Sequence, residues 1–113
     1  MTAAAVILFV LAITLVGTTV LAAGGVVRLN RFAGIRVHSF LLSQEAWQSG
    51  HAAALLPVTL GGLIAVAGGV VALVRPGSVG VVVVAFLLLF ALVAWGILRG
   101  DRAALDAHAA SVE

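Results

Sequence analysis

Three long runs without Asp, Glu, Lys or Arg dominate the chain, at residues 3–27, 52–74 and 79–98. Each is long enough to cross a hydrocarbon core roughly 30 Å thick as a helix. Lipid offers no partner to a bare amide or carbonyl, so a segment lying in it must satisfy its own backbone. A helix does so within one segment, whereas three lone strands would leave open edges. The fold expected is therefore all-α: an integral membrane bundle of three transmembrane helices. A soluble domain is excluded, since 64% of the 113 residues are hydrophobic and 9% are charged.

The first run differs from a secretory signal peptide. It has no positive start, and its apolar stretch exceeds the roughly 7–15 residues of such a leader. It is read as a permanent helix. The remaining segments are a loop at 28–51 and a tail at 99–113, so one membrane domain fills residues 1–113. Without cysteine there are no disulfides, thiolate metal sites or cysteine nucleophiles. The high isoelectric point comes from a small arginine excess. No basic patch interleaved with exposed aromatics accompanies it, so nucleic acid is not an expected partner.

Arginine placement gives an orientation. With three spans, the loop and the tail share one side, and that side holds Arg28, Arg31, Arg36, Arg99 and Arg102. The other side holds Arg75 alone. The expected topology is multi-pass in a bacterial plasma membrane, with the N-terminus outside and the C-terminus cytoplasmic.

Arg75-Pro76-Gly77-Ser78 reads as a tight turn, which makes the second and third helices antiparallel neighbours. Gly61, Ala65 and Gly69 recur every four residues on the second helix. Such a small-residue stripe admits a second backbone at close range. It serves packing within the bundle or, on the alternative reading, self-association or a foreign membrane subunit. Pro57 removes one hydrogen bond and is expected to kink this helix near Ala53.

The loop concentrates the chain's chemistry. Ser43 suits a helix N-cap, with Glu45 in the first turn where the helix dipole favours a carboxylate. A helix starting there runs through Trp47 and His51, four residues apart on one face, into the second span. Trp47 is expected at the membrane–water boundary with a wet N–H, and His51 as a polar group bonded to backbone or water. His38, Glu45 and His51 follow no metal-ligand spacing, so no metal or other cofactor is expected. Arg28, Arg31 and Arg36 suit lipid phosphates. Gly34 suggests a turn that gathers the guanidinium groups of Arg31 and Arg36, and Arg36 is expected to pair with Glu45. Phe32, Ile35, Phe40, Leu41 and Leu42 make the loop too apolar for a free linker, so it is expected to be ordered against the bundle or in the interface.

The order Asn30…Gly34-Ile35-Arg36…Leu41…Ser43…Trp47…His51 resembles the signature loop of the SdpI family of bacterial membrane proteins. The resemblance runs without a gap from Asn30 to His51, and the flanking spans fit a family domain of three helices. This chain has Val37-His38, Phe40 and Ala52 where members often carry Thr-Pro, a Thr and a basic residue. The resemblance implies immunity to a secreted peptide toxin and signalling by sequestering a transcriptional repressor at the membrane. It singles out Asn30, Gly34, Arg36, Trp47 and His51, which together with Arg31 and Glu45 from the residue reading make the expected recognition loop. The tail reads as a solvated segment able to continue as a weak helix, with Arg102 and Asp106 four residues apart.

Two functions compete. One is a non-enzymatic immunity and signalling protein that acts through the loop. The other is an accessory subunit packing on a larger complex through Gly61, Ala65 and Gly69. The expected partners are the lipid bilayer and a membrane protein or a second copy. Coupled transport is disfavoured because the spans hold no charged residue. Catalysis is not expected without a nucleophile motif or paired carboxylates.

Overall fold

The computed structural model describes residues 1–112. These residues form α1 (Thr2–Ala23), a short 3-10 turn at His38–Leu41, α2 (Gln44–Val74) and α3 (Val79–Ser111). The molecule is a rod of 57 × 21 × 17 Å. All three helices are long and apolar enough to cross a membrane. Their outer faces carry Val10, Ile13, Leu63, Val66, Leu87 and Phe90, all exposed. Such a surface suits a bilayer as its solvent.

The middle helix holds the bundle together. Its small residues let α1 and α3 approach from two sides. A Cβ on Gly62 would lie 2.5 Å from Val16, and one on Gly69 would lie 2.4 Å from Phe9, both on α1. A Cβ on Gly68 would lie 2.5 Å from Ala85, and one on Gly61 would lie 3.1 Å from Leu89, both on α3. Ala65 is fully buried in the same core as Leu8 and Leu89. The stripe that a foreign subunit would need is thus occupied by the chain's own helices. Pro57 is buried within α2, which continues as a helix through it.

The connection at 75–78 is a tight turn, with Gly77 at φ 78°. The Arg75 amide donates to the Val71 carbonyl at 2.9 Å and closes α2.

Two boundaries depart from the hydropathy reading. The first span, drawn to residue 27, ends as a helix at Ala23. Gly24 and Gly25 break it, with Gly25 at φ 78°, and the amides of Val26 and Val27 both fold back to the Leu21 carbonyl. Val26 and Val27 extend the apolar run in sequence but not the helix. The tail is also more than a solvated segment. α3 continues to Ser111, and Gly100 and Ala104 are buried. Ala104 packs with Ala22, Phe40, Ala46 and Trp47 in a second core at the loop end. The tail's first turn is therefore part of the fold, because its small side chains let the loop lie against it.

Candidate functional site

The site starts from the cap of α2. The Ser43 hydroxyl accepts the Ala46 amide at 3.1 Å, and the Ser43 carbonyl accepts the Trp47 amide at 2.9 Å. This fixes the phase of the helix, which turns Trp47, Gly50, His51 and Ala54 inward and leaves Glu45 exposed. Glu45 stands in the first turn, beside the positive end of the helix dipole.

Trp47 and His51 are both fully buried. The expected wet indole is corrected here: Nε1–H donates to the Val27 carbonyl at 2.9 Å, using the chain that leaves α1. The indole and imidazole centroids are 4.3 Å apart, and Phe40 meets the imidazole edge-on at 5.1 Å. Gly34 lies directly on this aromatic group. It has φ 103°, and a Cβ there would fall 2.4 Å from the Trp47 ring and 3.0 Å from His51 Nε2. Gly34 is needed for that close approach and for its positive φ.

The next amide completes the lock. Ile35 N–H donates to His51 Nε2 at 2.9 Å, and His51 Nδ1 lies 2.7 Å from the Trp47 carbonyl. A backbone amide can only donate and a carbonyl can only accept, so Nε2 is bare and Nδ1 carries the proton. Both contacts hold together only with a neutral imidazole. His51 is thus a strut between loop and helix, with neither nitrogen left for a metal.

Asn30 organises the outer turn. Its Oδ1 accepts the amides of Phe32 and Ala33, each at 2.8 Å, and its Nδ2 donates to the Arg28 carbonyl at 2.6 Å. Gln44 ties this turn to α2 by accepting the Leu29 amide at 2.9 Å. The Arg36 guanidinium donates to the Asn30 carbonyl. This replaces the expected pairing with Glu45, since the backbone acceptor lies nearer within the loop. Arg31, Phe32 and Arg36 are exposed, with Phe32 at 92% exposure. The expected recognition residues therefore divide in two. Asn30, Gly34, Trp47 and His51 build the loop from within, and Arg31, Arg36 and Glu45 lie on its surface.

Several contributors escaped the sequence reading. Phe40 fills the space between two helix backbones: a Cβ on Gly50 would lie 2.7 Å from its ring, and one on Gly100 would lie 2.4 Å from it. That Gly100 Cβ would also meet the Gly50 carbonyl at 2.7 Å. The signal was two glycines in otherwise helical, polar helix ends, where a helix gains nothing from them unless something packs closely. Gln44 carried no distinguishing signal.

Below the loop, between α1 and α3, lies a cavity of about 420 Å³. Thr14, Leu15 and Thr18 line one side, Val93 and Ile97 the other, and residues 32–37 close its end. Arg36 contributes the charged group of this lining.

A family model described as the SdpI/YfhL protein family matches residues 26–98. The match covers more than half of the chain and includes the whole loop, α2 and the membrane part of α3. No curated protein and no solved structure matches the chain.

Proposed function

The chain belongs to the SdpI/YfhL protein family, and from that membership we propose a small non-enzymatic membrane protein acting in immunity and signalling against membrane-active peptides. The loop between α1 and α2 is its recognition element. The observation that carries this reading is the division of labour within the loop. Asn30, Gly34, Trp47 and His51 spend their hydrogen bonds and packing on holding the backbone still. Arg31, Phe32 and Arg36 are then presented on a rigid base, two cations and an aromatic, all exposed. Binding to a preformed surface avoids the cost of ordering it.

The proposed orientation puts this surface in the cytoplasm, with the N-terminus outside. Its support is the arginine bias, five at the loop end against Arg75 at the turn.

The test is protection of living cells. Expression of the chain in a sensitive bacterium should raise the dose of a membrane-active peptide needed to kill it. The Arg31→Ala/Arg36→Ala double variant should lose that protection while reaching the membrane in the same amount. Unchanged sensitivity across a panel of such peptides would sink the immunity reading.

A further inference from the structure

The cavity beneath the loop has walls of two chemistries. Near the 75–78 turn, α1 and α3 both pack on α2, and Ala5, Leu8, Ala85 and Leu89 share one core with its Ala65 and Ala72. Toward the loop, about 420 Å³ lies between Leu15 and Thr18 on one side and Val93 and Ile97 on the other. That volume falls within the roughly 300–1,000 Å³ typical of small-molecule sites. The two helices that frame it present lipid-facing side chains, so the bilayer is its natural source of occupants.

The loop end of the cavity is cationic. Arg36 lies in the lining itself, and one of its N–H groups is directed to the Asn30 carbonyl. A guanidinium has five such donors in a planar fork, which leaves others for a phosphate. Arg28 and Arg31 are exposed on the same loop, with Glu45 exposed at the start of α2. We infer that this cavity holds one anionic phospholipid, its acyl chain between α1 and α3 and its phosphate on Arg36. A zwitterionic lipid brings the same phosphate but adds a cationic headgroup among these arginines, so the anionic lipid is preferred. The inference shares Arg36 with the proposed peptide surface but is read by lipid retention, so it can fail or hold without peptide immunity.

The full-length chain in detergent, titrated with phosphatidylglycerol or phosphatidylcholine and followed by native mass spectrometry, tests this. One phosphatidylglycerol should be retained with about five- to tenfold preference, the scale expected of one arginine near a lipid surface. Arg36→Gln should erase the preference with helical content unchanged, since Arg36 is exposed. Thr18→Phe, which fills the cavity, should lower retention of both lipids. Excess inorganic phosphate should leave the lipid bound, because acyl contacts help to hold it. Equal retention of the two lipids by the wild type would overturn the inference. So would a preference unchanged in Arg36→Gln, displacement by phosphate alone, or a cavity that takes an apolar peptide and no lipid.

Discussion

Gly34 decides the geometry of the loop, and its replacement should be costly in a way that its exposed neighbour's is not. An alanine there meets a positive φ, and its Cβ falls on the Trp47 ring. The backbone strain alone is about 1–3 kcal/mol. Gly34→Ala should therefore lower the thermal unfolding midpoint of the detergent-solubilised chain. Arg31→Ala, at an exposed position, should stay within about 0.5 kcal/mol of the wild type. Equal midpoints for the two variants would show that the aromatic cradle does not hold the loop. His51 gives a second residue-level expectation. Its loss strands the Ile35 amide that it now accepts, a cost of about 1–3 kcal/mol. His51→Ala should speed amide hydrogen exchange across residues 28–37 and leave residues 58–72 of α2 protected. The shared helical face of Trp47 and His51 was legible in the sequence from their spacing. Their contact with Gly34 was not, because no local periodicity links a loop glycine to a helix that starts ten residues later. Arg36 misled for a related reason: charge alone pointed to Glu45, while the loop's own fold brought a carbonyl closer.

At the scale of elements, the bundle is set by which glycines face a neighbour. Gly68 and Gly17 lie in comparable apolar helices, yet a Cβ on Gly68 would press to 2.5 Å on Ala85 and one on Gly17 would meet nothing within 4 Å. Gly68→Ala should destabilise the bundle by about 1–3 kcal/mol through overpacking, and Gly17→Ala should not. Unfolding midpoints measured side by side check the contrast, which a loss of stability in both variants would contradict. Hydropathy made the three helices legible because it reads the solvent that a segment prefers. It does not read where the backbone turns, so it carried α1 through Gly24 and Gly25 and past its end at Ala23. It also missed the docked start of the tail. Gly100 and Ala104 have little apolar area to register, and their value lies in what they leave room for.

For the whole molecule, the structure gathers both the loop and the last turns of α3 at one end of the rod, where Phe40 touches Gly100. Arg28, Arg31, Arg36, Arg99 and Arg102 then form one cationic end, with Arg75 alone at the other. Because α1 packs along α2 through Leu8, Phe9 and Val16, the proposed orientation, with the N-terminus outside, applies to the bundle as a unit. A leaflet rich in anionic lipid attracts juxtamembrane arginines by about 1 kcal/mol each, and the excess of four at the loop end is the support for the proposed orientation. The absence of cysteine allows a direct measurement, since any introduced thiol is the sole one. Phe32→Cys places a thiol at the exposed tip of the loop, and Pro76→Cys places one in the turn. In intact cells a membrane-impermeant maleimide should label position 76 and spare position 32 until the membrane is opened. The reverse pattern would put the loop outside. It would also move the proposed recognition surface to the side where a secreted peptide first arrives, and the proposal would change from a cytoplasmic response to direct interception.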